Sequence, residues 1–182
     1  MLEYQRNVTK EKKNFWDRNA RIYNRFMRKD HAAYEKMYAL IRPVVKAKTV
    51  LELATGTGLI AKHIVNAAAH IEATDASAEM IAEAKRDNRS AKLHFSVQDM
   101  FRLPYADKSF DAVIVSNALH IVPQPEKALR EIRRVLKDDG VLIARAWRSC
   151  RLNRSNSIWS RLLKPSTSGL ICRSAFAMSD GC

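Results

Sequence analysis

Between residues 50 and 61 the chain reads Val-Leu-Glu-Leu-Ala-Thr-Gly-Thr-Gly-Leu-Ile-Ala. An apolar run holding one carboxylate crosses a turn with two glycines and resumes at helical spacing. A buried parallel strand that turns tightly into a helix has this pattern. Gly56 and Gly58 can take backbone angles closed to other residues, and neither has a side chain to hold a ligand away. Amides exposed at the following helix start favour an anionic group. Glu52, near the strand's carboxyl end, suits a cation or a hydrogen-bond donor instead. A ligand with both signs of charge, such as an amino-acid moiety, fits the pair better than a diphosphate alone. Gly56-x-Gly58-x-x-Ala61 also satisfies a dinucleotide fingerprint, with Asp75 at about the right distance for a ribose carboxylate. A turn that binds nothing is the third reading, and the rest of the chain must choose.

Upstream, residues 10–29 place Phe15, Trp16, Ile22, Tyr23, Phe26 and Met27 on a helical period, with basic residues elsewhere. This predicts an amphipathic helix whose aromatic face covers something, either a ligand or the sheet. A second helix is expected over 32–41, with Tyr34, Met37, Tyr38 and Ile41 inward and a stop near Pro43.

Downstream, the first helix after the glycine turn is expected to run to about residue 69. Residues 70–74 form a strand ending at Asp75, and Ser77 caps the next helix. Residues 93–97 make a third strand, 103–110 a loop, and 111–115, apolar throughout after Asp111, a central fourth strand. A helix opens at Pro125, turns Ala128, Leu129, Ile132, Val135 and Leu136 inward, and closes at Gly140. Residues 141–144 form a fifth strand. Strands alternating with helices at this spacing predict an α/β fold with a doubly wound, mainly parallel sheet.

Three carboxylates then stand at the carboxyl ends of three successive strands: Glu52, Asp75 and Asp99. In an open α/β sheet those ends line the ligand crevice. Asp75 is placed to accept from both ribose hydroxyls, and Asp99 from an exocyclic amine such as that of adenine. Glu52 faces an amino-acid end. Three in register after a glycine turn favour ligand binding over a bare turn.

The segments "VLELATGTG", "EATDASAEMI", "SVQDMFRLPYADKSFDAVIVSNALH" and "PEKALREIRRVLKDDGVLI" stand together in one order and spacing. In these the chain resembles the class I S-adenosylmethionine-dependent methyltransferases over residues 12–146. It is most similar to the branch with the ubiquinone/menaquinone C-methyltransferases. That family often has glycine where Ala54 stands, a small-for-small change. The resemblance implies S-adenosyl-L-methionine as cofactor, with Glu52, Gly56 and Gly58 shaping the methionine end. It implies that Asp75 binds the ribose, that Met80 packs near the adenine, and that Asp99 reads the adenine amine with the Met100 backbone beside it. Asn117 would lie close to the methyl donor, and Tyr23 matches an N-terminal aromatic that closes over the cofactor. A sulfonium is already a strong methyl donor, so in-line positioning away from water supplies much of the rate. His120 is the candidate base where the acceptor must lose a proton.

The residues after the fourth strand narrow the acceptor. Ser-Asn-Ala-Leu stands there, not the Asn-Pro-Pro-aromatic motif that holds a planar exocyclic amine, and no Pro-Cys occurs. The first absence argues against DNA adenine methylation and the second against cysteine attack on a cytosine ring, which leaves a small organic or lipid-like acceptor favoured; the resemblance implies a quinone-like one. The formal net charge of +13 leaves RNA or an anionic membrane open as a peripheral partner, much of the excess lying in the first 48 residues. Two rival functions therefore stand: an NAD(P)-binding oxidoreductase, and a non-catalytic cofactor-binding remnant that associates with RNA or membrane. The N-terminus lacks a signal-peptide pattern and no apolar run reaches membrane-spanning length, so a cytoplasmic location is expected. Cys150, Cys172 and Cys182 show no metal-ligand spacing, and no metal is expected. Oligomeric state has no sequence signal.

Composition changes after Trp147 to a Ser- and Arg-rich tail. The expected organisation is a helical N-terminal cap (1–45), an α/β core (46–147) and an atypical tail (148–182). The tail has room for a helix over 157–163 and a strand within 170–177, but not for the complete terminal hairpin of the family. A shortened or frame-altered end is the expectation, and it would leave the fifth strand an open edge.

Overall fold

A computed structural model describes residues 31–119, 121–145 and 170–171. In chain order the elements are α1 (His31–Val44), β1 (Thr49–Leu53), α2 (Leu59–Ile64), β2 (His70–Asp75), α3 (Ala78–Lys85), β3 (Leu93–Val97), β4 (Phe110–Ser116), α4 (Pro125–Val135), β5 (Leu136–Arg145) and β6 (Leu170–Ile171). The strands form one parallel sheet in the order β3-β2-β1-β4-β5-β6. The doubly wound parallel sheet expected from the sequence is therefore present. Its order reverses between β1 and β4, and both strands are buried on both faces.

Strand alternation sorts the core into two layers. Val50, Ile71, Ala73, Phe95, Ala112 and Ile114 face one side, where they meet Ile60, Ile64, Ile81 and the α1 residues Tyr34, Tyr38 and Ile41. Leu51, Leu53, Val113 and Val115 face the other, against Leu103, Phe110 and the α4 residues Ala128, Leu129, Ile132 and Val135. The inward faces read for α1 and α4 are the observed ones, except that Leu136, read as the last inward residue of α4, belongs to β5. α1 is further locked to α2: the Tyr38 ring stacks on His63 at 4.3 Å, and Arg42 Nε donates to the His63 carbonyl at 3.2 Å.

Two helix ends and one sheet edge differ from the sequence expectation. α2 stops at Ile64 rather than near residue 69, because the chain must turn back to start β2 beside β1. The Ala69 amide there donates to the Lys48 carbonyl at 2.9 Å. α4 ends at Val135, not at Gly140. Amides from the preceding loop take its last carbonyls (Lys108 N to Arg134 O at 2.9 Å, Ser109 N to Val135 O at 2.8 Å), and Leu136 already pairs with Phe110. Gly140 instead permits a tight excursion inside β5, since a Cβ there would stand 2.7 Å from the Leu136 side chain. Finally, β6 pairs in parallel with Leu142 and Ile143, so over those residues β5 is not the open edge that was expected.

The 103–107 loop has its own clamp. Arg134 donates to the Leu103 carbonyl at 2.9 Å, to the Tyr105 carbonyl at 2.7 Å, and to Glu131 and Asp107. Arg134→Lys keeps the charge but lacks the planar fork that reaches two carbonyls at once. We expect this variant to unfold about 1–2 kcal/mol more easily in urea, in line with hydrogen bonds to a charged donor. Unchanged stability would show that the loop holds itself.

Candidate functional site

β1 and β4 lie at the point where strand order reverses, and each ends in a left-handed residue. Ala54 follows β1 with φ 53°, and Asn117 follows β4 with φ 56°. Asparagine tolerates this region, whereas alanine in it costs on the order of 1 kcal/mol. Ala54 therefore carries strain. The two sharp turns open a crevice lined by Glu52, Thr55, Ser116 and Asn117, with Tyr34 of α1 at its side.

The glycine turn is stitched to the end of β2. Thr55 N donates to the Thr74 carbonyl at 2.9 Å, and the Thr74 hydroxyl donates to the Glu52 carbonyl at 3.3 Å. The Asp75 carboxylate accepts from Gly56 N at 2.8 Å and from Ser77 N at 2.9 Å. Asp75 thus holds the glycine turn against the start of α3, where Ser77 caps the helix as expected by accepting from Met80 N at 3.1 Å. Gly56 and Gly58 both have positive φ, at 58° and 79°. A Cβ on Gly58 would stand 2.5 Å from the Phe95 ring, so this glycine is required by core packing as well as by the turn.

Within the crevice Glu52 dominates the electrostatics. Only 2% exposed, it lies at the end of an apolar strand. Burial pushes its carboxyl up to about 8; the Thr55 hydroxyl and the Ala61 amide pull the other way, and the charge of Asp75 adds to the rise. Thr55 lies near enough to act electrostatically, yet outside hydrogen-bond geometry. Among the described residues, five buried side-chain polar atoms lack a hydrogen-bond partner: Glu52 Oε2, Thr55 Oγ1, Ser116 Oγ, Asn117 Oδ1 and Ser96 Oγ. The first four belong to crevice residues. Native chains seldom leave such atoms unpaired, at a cost of about 1–3 kcal/mol each, unless a ligand or water completes them. Acceptors and hydroxyls grouped in this way suit a donor-rich cation such as an ammonium group.

The structure brings Glu52, Gly56, Asp75 and Asn117 to neighbouring strand ends. The three carboxylates do stand at the ends of the adjacent strands β1, β2 and β3, although Asp99 is exposed and its Oδ1 accepts from Phe101 N at 2.9 Å. Met80 is sealed at 2% exposure, and the Met100 side chain packs on the α4 side of the sheet. Tyr23 and His120 lie outside the described residues. Tyr34, Thr55 and Ser116 were missed as crevice residues. Tyr34 was legible only as an inward helix position, and Thr55 and Ser116 only as neighbours of the glycine turn and of Asn117. Among the described residues no cluster of His, Cys, Asp and Glu could hold a metal ion, and no helix is long and apolar enough to cross a membrane.

Comparison with known proteins settles the family. Residues 51–144, from β1 to β5, match the profile of the methyltransferase domain. The chain belongs to the methyltransferase-domain family. It is similar to the demethylmenaquinone methyltransferase of Thermotoga maritima, with 39% identity over 101 residues, covering 54% of this chain and 43% of that one. It is also similar to the ubiquinone/menaquinone biosynthesis C-methyltransferase UbiE of Bartonella quintana, with 31% identity over 128 residues, covering 65% and 49%. The matches thus span less than half the length of these relatives. Among solved structures, a Haloferax volcanii chain in complex with the Trm112 methyltransferase activator aligns with TM-score 0.64 and 28% identity, covering 71% and 58%. The [4+2]-cyclase SpnF aligns with TM-score 0.56 and 30% identity, covering 59% and 43%. A methyltransferase-domain fold of this kind can therefore serve other chemistry, and the reaction of this member is a matter for its own site.

Proposed function

We propose that this methyltransferase-domain protein binds S-adenosyl-L-methionine in the crevice between β1 and β4 and methylates a small organic acceptor of the quinone-like class. The observation that carries the reading is the set of unpartnered polar atoms on Glu52, Thr55, Ser116 and Asn117 at the strand-order reversal. Those groups fit the ammonium of the amino-acid end, and the amides of the glycine turn fit its carboxylate. Asp75 accepts from the ribose hydroxyls while holding Gly56 and Ser77; a carboxylate offers about four acceptor sites, so both tasks are compatible. Asp99 and the Met100 backbone read the adenine edge, with Met80 beneath and Gly58 keeping the turn close to the sheet. Tyr23 covers the bound cofactor. Asn117 stands nearest the reacting centre, and His120 takes a proton where the acceptor must lose one. When bound, the cofactor supplies an electrophilic methyl group on a sulfonium. The chain's own task is to hold acceptor and cofactor in line and to keep water out.

The names of the curated relatives support a quinone-like acceptor. The direct test is mass spectrometry after incubating the full chain with isotopically labelled S-adenosylmethionine and a demethylated quinone, alongside a metabolite extract. Label in the quinone is the expected result; label in another metabolite would reassign the acceptor. Asp75→Ala should weaken S-adenosylhomocysteine binding about 10- to 100-fold, the range of one or two hydrogen bonds to a charged acceptor. Saturable binding of NAD in place of S-adenosylhomocysteine would overturn the reading in favour of an oxidoreductase.

A further inference from the structure

Glu52 is a buried carboxyl whose Oε2 has no hydrogen-bond partner among the described residues, and it opens on the crevice proposed above as the cofactor site. Among the described residues, the groups around it carry no compensating positive charge. From β2 comes the Asp75 carboxylate, which opposes ionisation, and from α1 come Tyr34, lining the crevice, and Tyr38, whose own ionisation Glu52 opposes. The start of α2 supplies only the Ala61 amide, and β4 only the uncharged Ser116 and Asn117. Among the described residues no Lys or Arg acts on this carboxyl. Among the described residues, a charged carboxylate in such a place has nothing to balance it until a cation arrives.

We propose that cofactor binding is coupled to the ionisation of Glu52: the crevice takes in the ligand's ammonium group, and the glutamate proton leaves to solvent. The inference rests on the reading of the crevice as the S-adenosylmethionine site. In the ligand-free chain the carboxyl is neutral at pH 7, as burial dictates. On binding, the O–H bond of Glu52 breaks, one proton goes to the buffer, and the carboxylate pairs with an ammonium that keeps its three protons. Net charge in the crevice is conserved at each end of the exchange, from neutral and empty to neutral and paired. The coupling makes the site selective for a cationic amine over a neutral group of the same size. It also makes affinity rise with pH below about 8, because the complex holds fewer protons than its parts.

The test is isothermal titration of the full chain with S-adenosylhomocysteine at pH 7 in phosphate and in Tris, whose ionisation enthalpies differ. The expected result is an observed enthalpy that depends on the buffer, corresponding to release of most of one proton, and an affinity that rises about tenfold between pH 6 and 7. The ligand's own α-amino group cannot imitate this, since binding it as ammonium takes protons up and does not release them. Glu52→Gln, close in shape to the neutral acid, should bind more weakly and with the same enthalpy in both buffers. Saturable binding of the unaltered chain with no buffer dependence would overturn the coupling while leaving the cofactor reading in place. If S-adenosylhomocysteine does not bind at all, the cofactor reading falls and the coupling falls with it.

Discussion

Replacing Glu52 by glutamine is expected to stabilise the ligand-free chain by about 3 kcal/mol at pH 7 and by about 4–5 kcal/mol above pH 8. The unfolded chain ionises this carboxyl near 4.5, whereas burial between β1 and β4 raises it to about 8 in the folded chain. The native state therefore holds the proton more tightly than the unfolded state does. Its contribution to stability is complete below pH 4.5 and is lost progressively as pH rises through 8. Glutamine is neutral throughout and avoids the loss. Urea denaturation at pH 5.5, 7 and 8.5 should show the unaltered chain losing stability relative to Glu52→Gln at each step. Parallel curves would mean that the carboxyl is solvated in the folded chain and its burial does not oppose ionisation. The same substitution should weaken cofactor binding, so stability and ligand recognition pull against each other at one residue.

The second large effect is expected at Gly58. Alanine there would place a Cβ 2.5 Å and 2.7 Å from two atoms of the Phe95 ring, at a backbone φ of 79°. The left-handed conformation costs an L-residue roughly 1–2 kcal/mol, and the overlap adds about 1–3 kcal/mol because Phe95 is buried and has little room to move. A total of about 2–5 kcal/mol is a large share of the 5–15 kcal/mol that typically holds a domain together. Thermal unfolding of Gly58→Ala should show a clear fall in Tm. Adding Phe95→Leu should recover part of it, by removing the overlap while leaving the backbone strain. A Gly58→Ala variant as stable as the parent would show that β3 can shift away from the glycine turn.

The two substitutions separate what can be read along a chain from what cannot. Gly56 and Gly58 are recognisable in order because an apolar run, two glycines and a helical restart leave few backbone solutions, and the turn they predict is present. The strands were likewise legible, since β1 and β4 carry apolar residues on both faces with few polar interruptions, as a strand covered on both faces does. Helix ends were less so. Gly140 carries the local signal of a helix stop, but Lys108 and Ser109 capture the carbonyls of Arg134 and Val135 and end α4 five residues earlier. That competition is between segments distant in sequence, and local propensity does not register it.

The candidate site divides in the same way. Its carboxylates are strand-end positions, and the placing of Glu52, Asp75 and Asp99 at neighbouring tips follows once the strands are assigned in a parallel sheet. Local order also sufficed for Ser77 as the cap of α3. Three-dimensional packing alone decided that Glu52 is buried without a counter-charge among the described residues, that Asp75 bonds Gly56 across 19 positions, and that Tyr34 reaches the crevice from α1. Strand and turn identities are local properties of backbone and pattern, carried by a few adjacent residues. Burial, unpaired polar atoms and a raised carboxyl pKa are properties of everything that surrounds a group, and they exist only when distant segments have closed around it.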